Sequence, residues 1–302
     1  MTIVSLLPSA TEIVFALGLG DQLAGRSFEC LYPPDARAVP VVSGTALASG
    51  GPASASAVDA AAVDAEVSAR VAAGEPLYTL DHHAIRAIAP DVILAQDLCQ
   101  VCAVPSGAVE DALAVIGCHA RVVSLDPGRL DEVIDCVGQV GRATGAGAAA
   151  DVLMDGLRAR VAAVRRRVAG RDRPRVLVLE WPDPPFNAGH WVPDMVEAAG
   201  GVPVLCRAGE RSRRISWDEI AAEAVDVTVF APCGFDLDGA VAQASSFLDR
   251  REAAGLGTVV AVDANAYVSC PGPRVVDGVE ILAGLLHPDR PGDVPAGAAV
   301  LR

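Results

Sequence analysis

Four short and largely apolar runs, residues 92–95, 175–179, 225–231 and 258–262, each end directly in a polar or thiol-bearing cluster. Runs this short, without the alternation of a half-exposed strand, fit strands covered on both faces, and such strands belong to parallel sheets. Ligands of open α/β sheets sit just beyond the carboxyl ends of the strands. The clusters are therefore the places to look for function. The densest is residues 91–102, DVILAQDLCQVC, which sets Gln96, Asp97, Cys99 and Cys102 beyond the strand 92–95.

The other elements extend the same pattern. A strand over residues 3–6 leads to Pro8, and Ser9 with Glu12 three positions later reads as a capping box for a helix carrying Ile13, Val14, Ala16 and Leu17. A helix N-terminus at a strand's carboxyl end is also a place for a polar ligand, which makes Ser9 a candidate contact. Phe28, Glu29 and Cys30 precede Pro33 and Pro34, which stop regular structure and leave Glu29 and Cys30 on a loop. Residues 43–57, rich in Gly, Ser and Ala, read as a surface loop or linker. Helices are expected over 58–73, through Ile85 and Ile88, and over 107–116, with a strand at 121–125. His82 and His83 read as polar residues of a first helical turn.

From residue 130 to 168 the spacing is helical, broken within 141–147. Its second section carries Val152, Leu153, Leu157, Val161, Val164 and Val168 as the expected buried face. Asp151 and Asp155 lie early in that section and arginines late. The strand–cluster pattern then resumes: Glu180 and Trp181 end one strand, Cys233 and Asp236 follow another, and Asp263 follows a third. His190 and Trp191 precede a helix through Met195 and Val196. The expected fold is α/β, with two Rossmann-like lobes, residues 1–127 and 171–302, joined through a helical segment 128–170 by one long backbone helix. A ligand cleft is expected between the lobes.

Composition narrows the partners. A net charge of -14 with a pI near 4.7 argues against nucleic acid and anionic membranes, both of which reward basic patches. No stretch approaches the roughly 20 apolar residues of a membrane span, so no membrane insertion is expected. The first residues lack a basic segment and an uninterrupted apolar core, so no signal peptide is read there. The eight cysteines are then expected to be reduced, and the compartment to be the cytoplasm.

Several segments together resemble the cobalamin and iron-siderophore substrate-binding proteins of ABC importers. They are SLLPSATEIVFALGLGDQL, the YPP loop, IRAIAPDVILAQ, the long middle helix, LEWPDPPFNAGHWVPDMVEAAGG and SWDEIAAEAVDVTVFAPCGFD. The chain is most similar to the leaderless branch of that family labelled cobalamin-binding protein. The resemblance implies two α/β lobes, one backbone helix and a bound corrinoid, tetrapyrrole or other metal complex. It does not extend everywhere. Phe28 stands where the branch has a His, and Arg86 stands where a DxHxxG signature beginning at Asp81 would need Gly. In exported relatives an acidic residue on each lobe docks to transporter arginines. Only Glu110 or Asp111 and Asp236 or Asp238 stand near those places here, and docking to an ABC permease is not expected from them.

The candidate ligand contacts are Ser9, Glu29, Tyr78, Asp97, Glu180, Trp181, His190, Trp191, Trp217 and Asp236, with Tyr78 and the three tryptophans as flat apolar surfaces. A second reading centres on Cys30, Cys99 and Cys102. Three thiolates with His190 or a carboxylate such as Glu29, Asp97 or Glu180 would suit zinc or another divalent metal. The CxxC alone would suit a dithiol redox couple or a metallochaperone. Cys233 is a further thiol within the same reading. Cys118, Cys136, Cys206 and Cys270 read as packing residues. No P-loop, GxSxG elbow or nucleotide fingerprint is present, so binding is expected ahead of catalysis.

Overall fold

The computed structural model describes the whole chain except residues 48–59, 98–103, 118, 249–254 and 291. It divides into two compact units. One is built mainly from the N-terminal segment, Ala65–Pro127 and Glu132–Gly156, and the other mainly from Gly128–Asp131 and Leu157–Arg302.

The first unit holds six strands: β1 (Ile3–Ser5), β2 (Leu23–Ser27), β3 (Val41–Thr45), β4 (Tyr78–Leu80), β5 (Val92–Ala95) and β6 (Arg121–Ser124). Their order is β4-β3-β2-β1-β5-β6, all parallel except β4. Strand β1 is central, and chain order departs to β2 on one side and β5 on the other. Val4, Leu6, Val42, Ile93 and Ala95 pack on one face with Ile85 of α3 (His82–Ile88) and with Val109 and Leu113 of α4 (Ser106–Ile116). Ser5 alternates to the opposite face, where its hydroxyl accepts from Thr11 of α1 (Pro8–Ala16) at 2.8 Å and donates to the Leu7 carbonyl. The helix α2 (Ala60–Ala73) precedes β4.

Three local expectations change. Helix α1 starts at Pro8 with Leu7 as its N-cap and no side-chain cap bond, so Ser9 and Glu12 form no capping box. Proline at the first helical position already sets φ and lacks the N–H that a cap would satisfy. Residues 43–45 belong to β3 and not to a loop, since pairing with β2 and β4 outweighs their weak strand propensity. Val152 is 75% exposed and lies off the buried face of its helix.

The second unit's sheet has the order β12-β11-β10-β7-β8. Its strands are β7 (Arg175–Pro182), β8 (Pro185–Asn187), β10 (Val227–Phe230), β11 (Thr258–Val262) and β12 (Ala298–Val300), and a two-residue β9 (Val202–Pro203) pairs with the start of β7. Strands β7, β10 and β11 are parallel in register, while β8 and β12 run antiparallel. Leu177, Leu179, Phe230 and Val259 pack on one face with Ile220 of α8 (Trp217–Ala222) and Phe247 of α9 (Leu237–Leu248). Helices α7 (Val192–Ala198) and α11 (Val275–Leu286) pack on each other, and the short α10 (Ala264–Tyr267) leads into α11.

Two helices follow β6. Helix α5 (Leu130–Thr144) begins within the second unit, where buried Asp194 of α7 accepts from the Leu130 amide at 3.1 Å and pairs with Arg129 through two 2.7 Å bonds. Helix α6 (Gly147–Val168) buries Leu157, Val161, Val164 and Val168 at helical spacing. Arg160 fixes this half of α6 to α11 through both oxygens of Glu280, at 2.9 and 2.7 Å, and through Asp277. Among the described residues no helix is long and apolar enough to cross a membrane. Replacing Leu157, which is 4% exposed, by Ala should cost about 2–5 kcal/mol in denaturant unfolding, and an unchanged midpoint would show that this face of α6 is not packed.

Candidate functional sites at the two strand edges

In the first unit the carboxyl ends of β1, β2, β3, β5 and β6 reach one edge, and antiparallel β4 brings its first residue, Tyr78, to the same edge. Ser9 is buried at 2% exposure in the first turn of α1, so its hydroxyl belongs to the packing beneath the edge. The loop after β2 carries Glu29 and Cys30. Its shape is fixed by a residue the sequence reading passed over, Arg26, which is 7% exposed. The Arg26 guanidinium donates to the carbonyls of Val39 (3.0 Å), Ser27 (3.0 Å), Phe28 (3.3 Å) and Arg37 (3.4 Å). One planar fork thus closes the segment 27–39. The sequence signal was there to be used, a lone cation at the end of a strand run, although it named no partner.

Glu29 accepts a hydrogen bond from Tyr78, whose ring lies 6.5 Å from that of Phe28. Burial raises the Glu29 carboxyl from 4.5 to about 7, the Tyr78 bond opposing the rise. Cys30 is fully buried, its sulfur 4.0 Å from the Ser5 carbonyl, and burial pushes the thiol up to about 12. It therefore stays protonated at neutral pH in this fold. Cys99 and Cys102 lie outside the described residues. Among the described residues no group of three or more His, Cys, Asp or Glu is placed to hold a metal ion.

Asp97 does stand just past β5, exposed and hydrogen-bonded. It accepts from the Ser106 amide at 2.7 Å, from the Ser106 hydroxyl, and from the Ser124 hydroxyl at 3.0 Å. These bonds outweigh burial and hold its carboxyl below the usual carboxylate range. It is a fixed negative charge beside the start of α4.

The second unit has its own edge. Leu179 pairs with Asn187 and Trp181 with Phe186, so β7 carries a bulge at Glu180, a device that turns side chains at strand ends. The Glu180 carbonyl accepts from the Cys233 amide at 2.9 Å, which ties the loop after β10 to the end of β7. The Cys233 sulfur accepts from the Ser269 hydroxyl at 3.3 Å. The Trp181 ring lies 5.8 Å from Phe235, and its buried indole Nε1 has no acceptor among the described residues. Asp236 caps α9 at the Gly239 amide, and Asp263 caps α10 at the Ala266 amide, both at 2.9 Å. Burial, reinforced by the neighbouring Asp236 charge, raises the Asp263 carboxyl.

Three other candidates sit elsewhere. Trp191 is a core residue, 6% exposed, donating to the Val268 carbonyl at 2.8 Å. Trp217 packs on the core beside Phe247 at 5.6 Å. His190 lies three residues past Asn187, away from the hairpin turn, in a left-handed conformation (φ 53°) with its amide on the Glu210 carbonyl. Burial and Arg211 lower its pKa, so the imidazole is neutral at pH 7.

With two sheets of this topology and a long helix in the connection, the comparison with known proteins is decisive. Residues 3–260 match the family described as periplasmic binding protein. The chain belongs to the periplasmic binding protein family. It is 26% identical over 292 residues to a cobalamin-binding protein of Halobacterium salinarum, covering 94% of this chain and 69% of that one. Its fold is that of the periplasmic vitamin B12 binding protein BtuF of Vibrio cholerae, with a TM-score of 0.67, 20% identity and coverage of 94% and 96% of the two chains. The periplasmic heme-binding protein RhuT from Roseiflexus sp. RS-1 gives 0.66, 22% identity and coverage of 93% and 96%. These structures establish the α/β fold of this family member, with two sheets and a long connecting helix.

Two measurements test the first edge. Glu29 keeps its proton in the folded chain and loses it near pH 4.5 when unfolded, so its contribution to stability is whole below pH 4.5 and gone above about pH 7. Denaturant unfolding should therefore lose on the order of 2–3 kcal/mol across that window, and Glu29→Gln should flatten the profile. A parallel profile for the variant would show Glu29 to be ionised throughout. Arg26→Met strips a charged donor from four carbonyls and should cost about 2–4 kcal/mol while exposing the 27–39 segment to protease.

Proposed function

We propose that this periplasmic binding protein family member binds a corrinoid, haem or similar flat metal complex at the carboxyl edges of its strands. The observation that carries the reading is the relation to the haloarchaeal cobalamin-binding protein over 94% of the chain. The site chemistry supports it. A large ring ligand needs broad apolar surface with a few oriented polar groups. The second unit's edge offers Trp181 against Phe235 with an indole N–H lacking an acceptor. The first offers Tyr78 with Phe28, the protonatable Glu29 and the fixed charge of Asp97. Each acid is held by hydrogen bonds before any ligand arrives, which lowers the ordering cost of binding.

Absorbance titration with cobalamins and with haem tests the proposal. Half-saturation below about 100 μM for at least one of them is expected, and none at that concentration would sink it. For the ligand that binds, Trp181→Ala should weaken affinity about tenfold, equivalent to about 1.4 kcal/mol. An unaltered affinity would remove Trp181 from the site.

A further inference from the structure

Helix α6 has an outer face as ordered as its buried one. Val152, Asp155, Ala159, Ala163 and Arg166 are all exposed and succeed one another by three or four residues, so they form one stripe opposite Leu157, Val161, Val164 and Val168. The charges along it are segregated. Asp151 and Asp155 lie in the first half, and Arg165, Arg166 and Arg167 in the last turn. The helix macrodipole accounts for those arginines, but its effect is confined to the terminal turns, and the first turn of α6 holds no acid. The side chains of Asp151, Asp155, Arg165 and Arg166 have no hydrogen-bond or ion-pair partner among the described residues.

We propose that two copies of this chain associate through this face, with their α6 helices antiparallel about a two-fold axis. A two-fold contact sets each residue against its counterpart's partner, so a helix acidic in one half and basic in the other is complementary to itself only when reversed. Setting Asp155 against the second copy's Arg166 makes two equivalent ion pairs about 16 Å apart along the helix. Ala159 and Ala162 then lie at the axis, where short side chains let the backbones approach. A parallel arrangement would stack like charges.

The charge balance of the whole chain favours the same pairing. Residues 158–175 hold eight arginines and one aspartate, a net +7, so the remainder of the chain carries -21 of the total -14. Two copies repel over most approaches, and a basic stretch meeting an acidic one is the favourable exception.

Sedimentation velocity over a concentration series tests this. A dimer is expected at low salt, weakening as ionic strength rises toward about 0.5 M and the Debye length shrinks. Asp155→Arg and Arg166→Asp should each raise the dimer dissociation constant roughly tenfold or more by opposing like charges, and the two changes combined should restore it. Both positions are exposed, and circular dichroism verifies that the helix is kept. A chain monomeric at all concentrations, a single variant that dimerises like the parent, or a double variant that stays monomeric would each overturn the proposal.

Discussion

Parallel pairing is the constraint from which the rest of the molecule follows. A strand that pairs parallel to its predecessor must be reached by a crossover, so β1, β2, β5 and β6, and again β7, β10 and β11, all point their carboxyl ends the same way. Everything polar that follows a strand is delivered to one edge of its sheet. Glu29, Asp97 and Tyr78 gather on the first edge although almost seventy residues separate Glu29 from Asp97. Trp181, Cys233, Asp236 and Asp263 gather on the second. Side chains beyond a hairpin do not share this fate. His190 follows β8, which runs antiparallel, and it is carried away from the edge that Trp181 occupies.

That constraint also divides what the sequence disclosed from what it hid. The strands 92–95 and 258–262 were legible to the residue because nearly continuous burial leaves an apolar run with polar ends. The long helix was legible through Leu157, Val161, Val164 and Val168. Strand β3 was not, because Val41–Thr45 has only two valines and takes its structure from neighbours remote in sequence. The aromatic candidates divide in a way the sequence does not show. Trp191 and Trp217 have the same chemistry as Trp181, and only the third dimension shows that the first two are spent on the core. Cys30 shows the same limit, since the sequence places it on a loop at a strand end and only the structure shows its complete burial.

The electrostatics of the first edge depend on where charge is allowed to remain. Arg26 is buried with carbonyl acceptors, so its charge is solvated by dipoles and not cancelled by a carboxylate. Glu29, two residues past the Ser27 carbonyl that the same guanidinium holds, receives only the Tyr78 hydroxyl, and burial raises its carboxyl to about 7. Asp97 receives two hydroxyls and an amide and stays ionised. Two acids on one edge thus hold different protonation states at one pH, because hydrogen-bond donors reach one and desolvation governs the other. A carboxyl poised near 7 makes the edge sensitive to pH over the range in which cells work.

Every cation in the chain other than histidine and the terminus is an arginine, and lysine is absent. Three of the joins described above need that choice. Arg26 reaches four carbonyls, Arg129 binds both oxygens of Asp194, and Arg160 spans both oxygens of Glu280 together with Asp277. Each depends on several donors diverging in one plane. An ammonium group offers three donors around a point and cannot match a carboxylate in parallel. The guanidinium is also more weakly hydrated, which lessens the cost of burying it at Arg26. These arginines sit at the end of β2, at the start of α5 and midway along α6. At these three places a guanidinium holds one element of the chain to another.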